Sequence, residues 1–428
     1  MKKAAKAFVV TILAWQVRRL RKRNNFKIVA VVGSIGKTST KLAIARVLSG
    51  SLKVRYQSGN YNDIVSVPLV FFGSNLPSLL NPFAWLGIFL KNEQIISNAY
   101  PYDVVVVELG TDGPGQISAF KKYIKSDISV ITALTPEHMQ YFSNLQSVAD
   151  EELSVGEYSE KIIMNADLCP KELTGGMQAS YLTYGLHKDA TYVMKEIIFT
   201  NEGSRFALQK DRTQWLKASH TSFSEPQLYS LLAAASVSDL LGISPQKIEQ
   251  GFDNIEPVAG RMQKLKGVHN STIIDDTYNA SPDAVQAALD TLYRLNAPQK
   301  IALLGNMNEL GEFSKDSHTE IGLYCDPRQL DLVVTLGTEA NSYLADAAEK
   351  QGCNVIRVRT PYEAGALINE KLEEGGIVLA KGSQNGVYSE EAVKLFLADP
   401  KDESKLVRQS PRWLKIKQKQ FGVYERKK

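Results

Sequence analysis

Residues 27–41 read KIVAVVGSIGKTSTK and decide the fold. The apolar run 27–32 is typical of a strand buried on both faces, and it leads directly into a turn with two glycines. The residues from Lys37 to Gly50 have the periodicity of a helix and end on glycine. A strand, a glycine turn and a helix in this order form the setting of a phosphate-binding loop.

The turn itself contains the groups that bind phosphate. Gly33 and Gly36 allow backbone amides to converge on phosphate oxygens. Lys37 supplies a cation to the β- and γ-phosphates, and the hydroxyl of Thr38 can ligate Mg²⁺. Position 31 is Val31, so this is the shorter GxxGKT form; the alternative is an ordinary helix start with a solvated lysine. The predicted nucleotide-binding set in the loop is Gly33, Ser34, Gly36, Lys37, Thr38 and Ser39.

Short β-branched runs alternate with helical stretches along the rest of the chain. They lie at 103–110, 128–134, 160–167, 271–282, 300–306, 330–337, 353–358 and 375–382. This alternation predicts a doubly wound α/β fold in each half, with a parallel sheet covered by helices on both faces. We expect a small β insertion within the mixed, polar segment 170–220, and a junction between the halves from Glu256 to Arg261.

The charge is strongly segregated along the 428 residues, although 50 basic and 46 acidic residues give a net charge of only +4. Residues 1–27 hold nine Lys/Arg and no acid, and residues 401–428 hold ten Lys/Arg and three acids. The remainder, 28–400, therefore carries −12. An acidic body argues against nucleic acid as a partner of the folded face. The basic ends favour contact with an anionic membrane surface.

The N-terminal segment combines an apolar stretch, Ala7 to Val17, with a basic cluster, Arg18 to Arg23, and Trp15 lies beside that cluster. No small-residue cleavage site follows, which argues against a signal peptide. The pattern favours a helix in the membrane interface. The alternative is an ordinary helix docked on the body of the protein.

The cysteines and the apolar runs bear on location. Cys169, Cys325 and Cys353 lie far apart without a CxxC pair, which excludes a disulfide framework or a thiolate zinc site and indicates a reducing compartment. No run reaches the 18 or so apolar residues of a spanning helix. We therefore expect a cytoplasmic protein, with a peripheral position on the inner face of the membrane also open.

Eight motifs in sequence order resemble the Mur ligase family, ATP-dependent amide-forming ligases that extend the peptidoglycan stem peptide. They are GSIGKTSTK (33–41), GNYNDIVSVPL (59–69), VVELG (106–110), LTPEHMQYFSNLQSVA (134–149), GRM (260–262), DDTYNASPD (275–283), LGNMNELGEFSKDSH (304–318) and AKGS (380–383). The resemblance implies a P-loop parallel-sheet ATPase domain followed by a Rossmann-like α/β C-terminal domain. It gives a basic and apolar helix at 1–25, a central ATP-binding domain at 26–257, a C-terminal domain at 258–400 and a basic tail at 401–428.

In the first domain the resemblance implies specific roles. Glu108 is implied as a Mg²⁺ ligand together with Thr38, and a carboxylate oxygen suits this hard ion. His138 resembles the histidine at a second Mg²⁺, although a lone histidine after a strand is more often structural. Asn62 matches a polar residue near the γ-phosphate and the acyl group. With Lys37, these side chains form the implied catalytic and metal site.

A departure from the family lies in SVADEELSV, at 147–155. In this segment many Mur ligases carry a carbamylated lysine that bridges two magnesium ions. The matching position is Glu152, with Glu151 as the alternative register. A glutamate supplies the carboxylate without CO₂ but on a shorter arm, so we hypothesise that Glu152 replaces the carbamate. The alternative is a pair of glutamates on an exposed helix face.

In the second domain the resemblance implies a nucleotide clamp. The guanidinium of Arg261 is expected near the phosphates and the carboxylate of Asp276 on the ribose, with Tyr278 and Asn279 in the same loop. Without the family, this stretch would be an Asx-rich turn before a helix. Further candidates, near the amine substrate, are Glu309, His318, Lys381 and Ser383.

The implied function is an ATP- and Mg²⁺-dependent acid–amino-acid ligase that acts through an acyl phosphate. The motifs YNASPD and LGNMNELG are most similar to the branch that adds D-Ala-D-Ala to a peptidoglycan precursor. The expected partners are therefore a UDP- or lipid-linked muropeptide and a D-Ala-D-Ala-like amine. Two alternatives stay open: a Mur-type ligase for another acceptor, such as an amino-acid polymer or a folate-like molecule, and a non-catalytic nucleotide-binding scaffold.

Members of that branch also carry a domain before the phosphate loop that holds the UDP-sugar end of the acceptor. Here 32 residues precede Gly33, so we expect that domain to be absent. A basic, apolar helix in its place suggests an acceptor at the membrane surface.

Overall fold

The computed structural model describes residues 2–57, 59, 61–136, 139, 141–177, 179–200 and 202–422, with side chains from residue 4 onward. The chain divides into two compact units. Unit 1 comprises Met1–Ser222 and Pro226–Ile255, and unit 2 comprises Phe223–Glu225 and Glu256–Lys428. The boundary expected from the sequence, between residues 257 and 258, lies two residues further along the chain.

Unit 1 is built on a nine-stranded sheet with the order β2-β3-β1-β4-β5-β6-β7-β8-β9. Its strands are β1 (Lys27–Val32), β2 (Val54–Arg55), β3 (Val104–Glu108), β4 (Ser126–Ile131), β5 (Ser159–Asn165), β6 (Leu182–Gly185), β7 (Tyr192–Phe199), β8 (Ser204–Lys210) and β9 (Thr213–His220). The pairs from β2 to β7 are parallel. The pairs β7–β8 and β8–β9 are antiparallel. The segment 170–220, where a small β insertion was expected, therefore extends the main sheet through parallel pairs to β6 and β7 and antiparallel pairs to β8 and β9.

The central strand β1 shows why this sheet is covered on both faces. Val29 and Val31 belong to one apolar core with α2 (Lys37–Ser49), whereas Ile28 and Ala30 belong to another on the opposite face. Successive side chains of a strand point to opposite faces, so a continuous apolar run needs two cores. The remaining helices of the unit are α1 (Lys2–Arg23), α3 (Ser66–Phe72), α4 (Pro82–Ser97), α5 (Gln116–Ala119), α6 (Leu145–Leu153), α7 (Lys171–Thr174), α8 (Glu225–Leu240) and α9 (Pro245–Phe252).

The N-terminal helix α1 packs on the body of unit 1. Its apolar side, which includes Leu13, Val17 and Leu20, is completely buried. The amide of Gln16 is also buried and donates to the backbone oxygen of Phe89 on α4. The protein itself therefore covers this side of α1, as in the alternative of an ordinary docked helix. Among the described residues, no helix combines the length and the apolar character needed to cross a bilayer.

Unit 2 contains a six-stranded sheet with the order β10-β11-β15-β12-β13-β14. Only the edge pair β10–β11 is antiparallel. The strands are β10 (Gln263–Lys266), β11 (Thr272–Asp276), β12 (Lys300–Gly305), β13 (Leu332–Leu336), β14 (Val355–Val358) and β15 (Ile377–Lys381). Its helices are α10 (Pro282–Arg294), α11 (Ser314–Tyr324), α12 (Ala345–Lys350), α13 (Pro361–Lys371), α14 (Glu390–Val393) and α15 (Pro411–Phe421). The predicted α/β class is confirmed in both units.

The C-terminal segment, expected from sequence to be a basic tail, is folded onto unit 2 up to residue 422. Lys417 of α15 is buried, and its ammonium lies 2.8 Å from a Glu390 carboxylate oxygen and 2.7 Å from one of Glu391. Arg408 also pairs with Glu390, at 2.6 Å. The C-terminal segment packs here because Glu390 and Glu391, at the start of α14, are buried, and buried carboxylates require nearby cations. Residues 423–428 lie outside the described part of the chain.

Candidate nucleotide-binding and catalytic site

The phosphate loop follows β1 and presses against the end of β4. Gly33 has a φ of +122°, and a Cβ at this position would lie 2.4 Å from the Thr132 hydroxyl oxygen and 2.9 Å from the Ala133 nitrogen. Gly36, with a φ of +82°, precedes the first turn of α2. Both positions lie in the left-handed region that L side chains rarely adopt. The backbone amides of the loop are thereby held at the N-terminus of α2, where anions bind.

Ser34 fixes this loop to the segment after β4. Its amide donates to the Ala133 oxygen at 3.0 Å, and its hydroxyl lies 2.8 Å from that of Thr135. The Thr135 amide donates back to the Ser34 hydroxyl at 2.9 Å. Ser34 was predicted to bind nucleotide, and the structure places its side chain against Thr135. Ser39 lies half-buried in the first turn of α2.

Lys37 folds back over the loop. Its ammonium donates to the backbone oxygens of Gly33 and, at 2.9 Å, of Ser34. These contacts hold the charge over the loop in which the amides converge. A lysine in this place suits the terminal phosphates of a nucleoside triphosphate.

Glu108, the last residue of β3, meets α2 beside the loop. The Thr38 hydroxyl donates to its Oε1 at 3.1 Å, and the Lys41 ammonium lies 3.1 Å from its Oε2. Both Glu108 and Lys41 are only 2% exposed. Sequence reasoning assigned no role to Lys41, although it stands one helical turn after Lys37 on the same helix.

The pairing of Glu108 and Thr38 fits a divalent cation. Oε2 of Glu108 is buried and accepts no hydrogen bond from the residues that the structure describes, although the Lys41 ammonium lies near it. A carboxylate and a hydroxyl are the hard oxygen donors that Mg²⁺ prefers. Among the described residues, no three His, Cys, Asp or Glu side chains cluster as metal ligands. His138, the predicted ligand of a second ion, lies outside the described residues.

Asn62 lies beside the same end of β3. Its backbone oxygen accepts from the Gly110 amide at 2.8 Å. Its side-chain amide is so close that a Cβ on Gly110 would lie 2.7 Å from Nδ2. Asn62 therefore contacts Gly110, which follows Glu108 by two residues in the chain.

The two adjacent glutamates of α6 face different parts of unit 1. Glu152 is buried, and its Oε2 accepts from the Gly33 amide at 2.8 Å. Glu151 accepts from the amides of Gly115 and Ile117, at 2.6 Å each. Of the two registers considered from the sequence, only Glu152 reaches the phosphate loop. The alternative of two glutamates on an exposed helix face is wrong, because both side chains are buried.

In unit 2, the predicted clamp residues lie around the loop that follows β11. The Arg261 guanidinium stacks over the Tyr278 ring, 4.1 Å from its centroid. Asp276 accepts from the Met262 amide at 3.0 Å and pairs with Lys381. Lys381 also donates to the Asn279 oxygen at 3.0 Å. The sequence made Lys381 a candidate for the amine site. In the structure it lies against the loop 275–279, which contains predicted clamp residues and which we call the clamp loop.

Two further residues hold this loop, and sequence reasoning assigned no role to either. Asp275 is buried and accepts from the amide of Gly260 at 3.1 Å and from the hydroxyl of Thr277 at 2.6 Å. Burial raises the pKa of Asp275 from 3.8 to about 6. Arg408 donates to the backbone oxygens of Thr277 at 2.6 Å and Tyr278 at 2.9 Å. No local signal in the sequence links position 408 to a loop 130 residues earlier.

The other candidates for the amine site support a neighbouring loop. His318 is fully buried; its Nε2 accepts from the Met307 amide at 3.0 Å, and its Nδ1 donates to the Ser314 oxygen at 2.7 Å. Burial lowers the pKa of His318, which favours this neutral form. The Ser383 hydroxyl accepts from the Asn308 amide at 2.9 Å. Glu309 has a φ of +67° in the same loop.

These features define a class: an α/β protein with a GxxGKT phosphate loop, a buried carboxylate beside it and a second α/β unit. Comparison with known proteins narrows it. The Mur ligase middle domain matches residues 90–238, and the Mur ligase glutamate ligase domain matches residues 260–384. Together these matches cover more than half of the chain. The chain belongs to the Mur ligase family, and the family predicted from the motifs is confirmed.

Individual relatives of this chain are named as MurF or by the full name of that enzyme, UDP-N-acetylmuramoyl-tripeptide--D-alanyl-D-alanine ligase. A Bacillus subtilis protein named UDP-N-acetylmuramoyl-tripeptide--D-alanyl-D-alanine ligase is 24% identical over 384 residues, which cover 87% of this chain and 76% of that protein. MurF from Acinetobacter baumannii has a similar fold (TM-score 0.74, 20% identity, 91% of this chain and 79% of that one). So does MurF from Thermotoga maritima in complex with ADP (TM-score 0.73, 22% identity, 92% and 84%).

Proposed function

We propose that this protein is an ATP-dependent ligase of the MurF type, which joins D-Ala-D-Ala or a similar amine to the carboxylate of a peptidoglycan precursor. The observation that carries the proposal is the arrangement of Lys37, Thr38 and Glu108 around a loop that requires glycine at position 33. The name of the Bacillus subtilis relative specifies a UDP-linked muramoyl tripeptide and D-alanyl-D-alanine, and this supports the choice of substrates. The non-catalytic alternative loses support, because these polar groups are all present and mutually arranged.

The reaction requires a better leaving group on the acceptor carboxylate. An oxygen of that carboxylate attacks the γ-phosphorus of ATP, the bond to the β-phosphate oxygen breaks, and ADP leaves. The amine then attacks the acyl phosphate carbon and loses a proton, and the tetrahedral intermediate expels phosphate. Positioning and neutralisation of charge dominate such a reaction.

The residues of unit 1 divide these tasks. The loop amides and Lys37 bind the phosphates and stabilise the charge on the transferring group. Thr38 and Glu108 would hold Mg²⁺, which supplies further neutralisation of the phosphate oxygens when bound. Asn62, which lies beside the end of β3, is proposed to orient the acceptor carboxylate.

Glu152 is proposed to take the place of the carbamylated lysine of other Mur ligases. Its buried carboxylate lies at hydrogen-bond distance from Gly33, so it adds negative charge beside the phosphate loop without CO₂. One carboxylate oxygen of Glu152 positions the phosphate loop, and the negative charge of the carboxylate can attract a bound cation. Glu151, which holds the 115–117 segment, has a structural role in this proposal.

Unit 2 is proposed to provide the nucleotide clamp. Tyr278 positions the Arg261 guanidinium, and Lys381 and the Met262 amide position Asp276. Both side chains are thus oriented by neighbours of their own unit. We propose the corresponding division of the chain into an ATP-binding domain that runs from 26 to 255 and a C-terminal domain that begins at 256 and includes the folded segment 401–422.

A ligation assay with mass-spectrometric detection tests the function. The protein is incubated with ATP, Mg²⁺, UDP-MurNAc-tripeptide and D-Ala-D-Ala, and in parallel with other acceptors and amines. The proposal predicts an amide product with the muropeptide and one phosphate released per amide. Amide formation only with another class of acceptor would support the alternative of a Mur-type ligase for that acceptor. The absence of product with every acceptor would contradict the proposal that the protein is a ligase.

A further inference from the structure

Helix α4 is apolar on two sides, and only one of them is covered. Trp85, Asn92 and Ile96 are buried. On the other side Phe83, Leu86 and Leu90 are 85%, 55% and 58% exposed. Their spacing of three and four residues aligns them along one stripe of the helix. A helix that is apolar on more sides than its own fold covers presents a surface for another apolar phase.

The segments around this stripe add to it. Leu76 and Leu80, just before α4, are 45% and 61% exposed. On α1, Phe8 and Trp15 are 64% and 47% exposed. We call these seven side chains the apolar face; its members are Phe8, Trp15, Leu76, Leu80, Phe83, Leu86 and Leu90.

An ion pair shows that the exposed rows of the two helices lie on the same side of the helix pair. Arg19 of α1 and Glu93 of α4 are 2.5 Å apart. Trp15 stands one turn before Arg19 and packs under its guanidinium, 4.3 Å from the ring centroid. Leu90 and Leu86 stand one and two turns before Glu93. Gln16 contacts Phe89 and Asn92 of α4, and Asn24, just after α1, accepts from the amide of Tyr100, just after α4. The two helices therefore run in the same direction, and these rows adjoin.

The part of the chain that carries the apolar face is strongly basic. The first 102 residues contain only two acidic residues, Asp63 and Glu93, and Glu93 is already paired with Arg19. On α1 the side chains of Lys6, Arg18 and Lys22 are exposed. A cationic border around apolar and aromatic side chains is complementary to an anionic lipid surface.

We propose that the apolar face docks unit 1 on an anionic bilayer surface. Phe83, Leu86 and Leu90 enter the boundary between headgroups and acyl chains, and the cations of α1 meet the lipid phosphates. Trp15, with Arg19 above its ring, belongs at the level of the headgroups. The surface differs from the membrane contact expected from the sequence, because the main apolar side of α1 is buried in the protein and α4 supplies most of the exposed area.

Vesicle co-sedimentation of the full chain tests the proposal. One set of vesicles contains phosphatidylcholine with about 30 mol% phosphatidylglycerol, and the other contains phosphatidylcholine alone. We expect binding to the anionic vesicles at low salt and its loss at high salt. F83S/L86S/L90S is expected to weaken binding about tenfold or more. R18Q/K22Q is expected to weaken it roughly fivefold per charge.

The matched control removes three exposed apolar side chains elsewhere. Ile198, Leu323 and Leu414 are 60%, 50% and 41% exposed, and I198S/L323S/L414S is expected to bind as the parent protein does. Unchanged thermal melting of F83S/L86S/L90S shows that it folds. The proposal is overturned if the parent protein ignores anionic vesicles, or if F83S/L86S/L90S binds them equally well. It is also overturned if sedimentation shows a dimer that this variant dissociates while vesicles bind neither form.

Discussion

The phosphate loop of unit 1 and the clamp loop of unit 2, residues 275–279, both follow a strand of a largely parallel sheet, but they are held in different ways. The first depends mainly on close packing of its backbone: Gly33 lies against Thr132 and Ala133 where no side chain fits, and the Glu152 carboxylate accepts from its amide. The second is fixed by ionisable side chains, Asp275 and Asp276 with Lys381 and Arg408. We therefore expect the first loop to respond to changes of shape and the second to respond to pH.

The largest effect is expected from removal of the Lys37 ammonium. Lys37→Ala should lower the rate of ligation about 10²–10³-fold, because a preorganised cation at the transferring phosphoryl group is lost. Phosphate release at saturating ATP measures this rate. Lys247→Ala, an exposed lysine of α9, is the matched control and should leave the rate unchanged. Equal rates for Lys37→Ala and the parent protein would contradict the role of the loop.

Glu152 offers the sharpest test of side-chain chemistry at the first loop. Glu152→Gln keeps the shape but removes the charge, and it should lose about 10²-fold in activity. Glu152→Lys should regain activity in bicarbonate, where the amine can become a carbamate. Glu151→Gln should retain activity and lose about 1–3 kcal/mol of stability, since it caps backbone amides away from the loop. Full activity of Glu152→Gln would sink the proposed replacement.

The claim that backbone shape holds the first loop is tested at Gly33. Gly33→Ala should cost about 2–4 kcal/mol of stability, from left-handed strain and the overlap with Thr132. Chemical denaturation measures the change. Gly87, in the interior of α4, has open space around its Cβ position, and Gly87→Ala should instead stabilise by about 0.5–1 kcal/mol. The comparison between the loops fails if both substitutions have the same effect.

The smallest effect, and the one specific to the clamp loop, is a pH dependence. The pKa of Asp275 is raised from 3.8 to about 6 in the folded protein, so the native state binds more protons than the unfolded chain between these values. Stability is therefore lost as pH rises through this window. Asp275→Asn should gain in melting temperature over the parent protein from pH 4 to pH 8, by up to about 3 kcal/mol in stability. A difference that does not change with pH would contradict the titration of Asp275 in this loop.

The sequence predicted the local structure of the first loop, a strand, a glycine turn and a helix, because its determinants are local. The strand, the glycines, Lys37 and Thr38 all lie within 12 residues and have recognisable spacing. The contacts of Gly33 with Thr132 and Glu152 join positions about 100 residues apart, and no local pattern predicts them. For the clamp loop the family motif located Arg261 and Asp276, whereas the partners Lys381 and Arg408 come from distant strands and turns. The burial of the apolar side of α1 depends on its contact with the body of unit 1, including α4. The pattern of one helix alone cannot predict that contact.

In the proposed mechanism the γ-phosphoryl group of ATP passes to a carboxylate of the acceptor. Ligation with a muropeptide whose terminal carboxylate carries ¹⁸O tests it most directly, with mass analysis of the released phosphate. We expect one ¹⁸O atom in the phosphate for each amide formed, because the bond between the acyl carbon and the phosphate oxygen breaks. Phosphate without ¹⁸O, in the presence of amide product, would contradict the proposed mechanism.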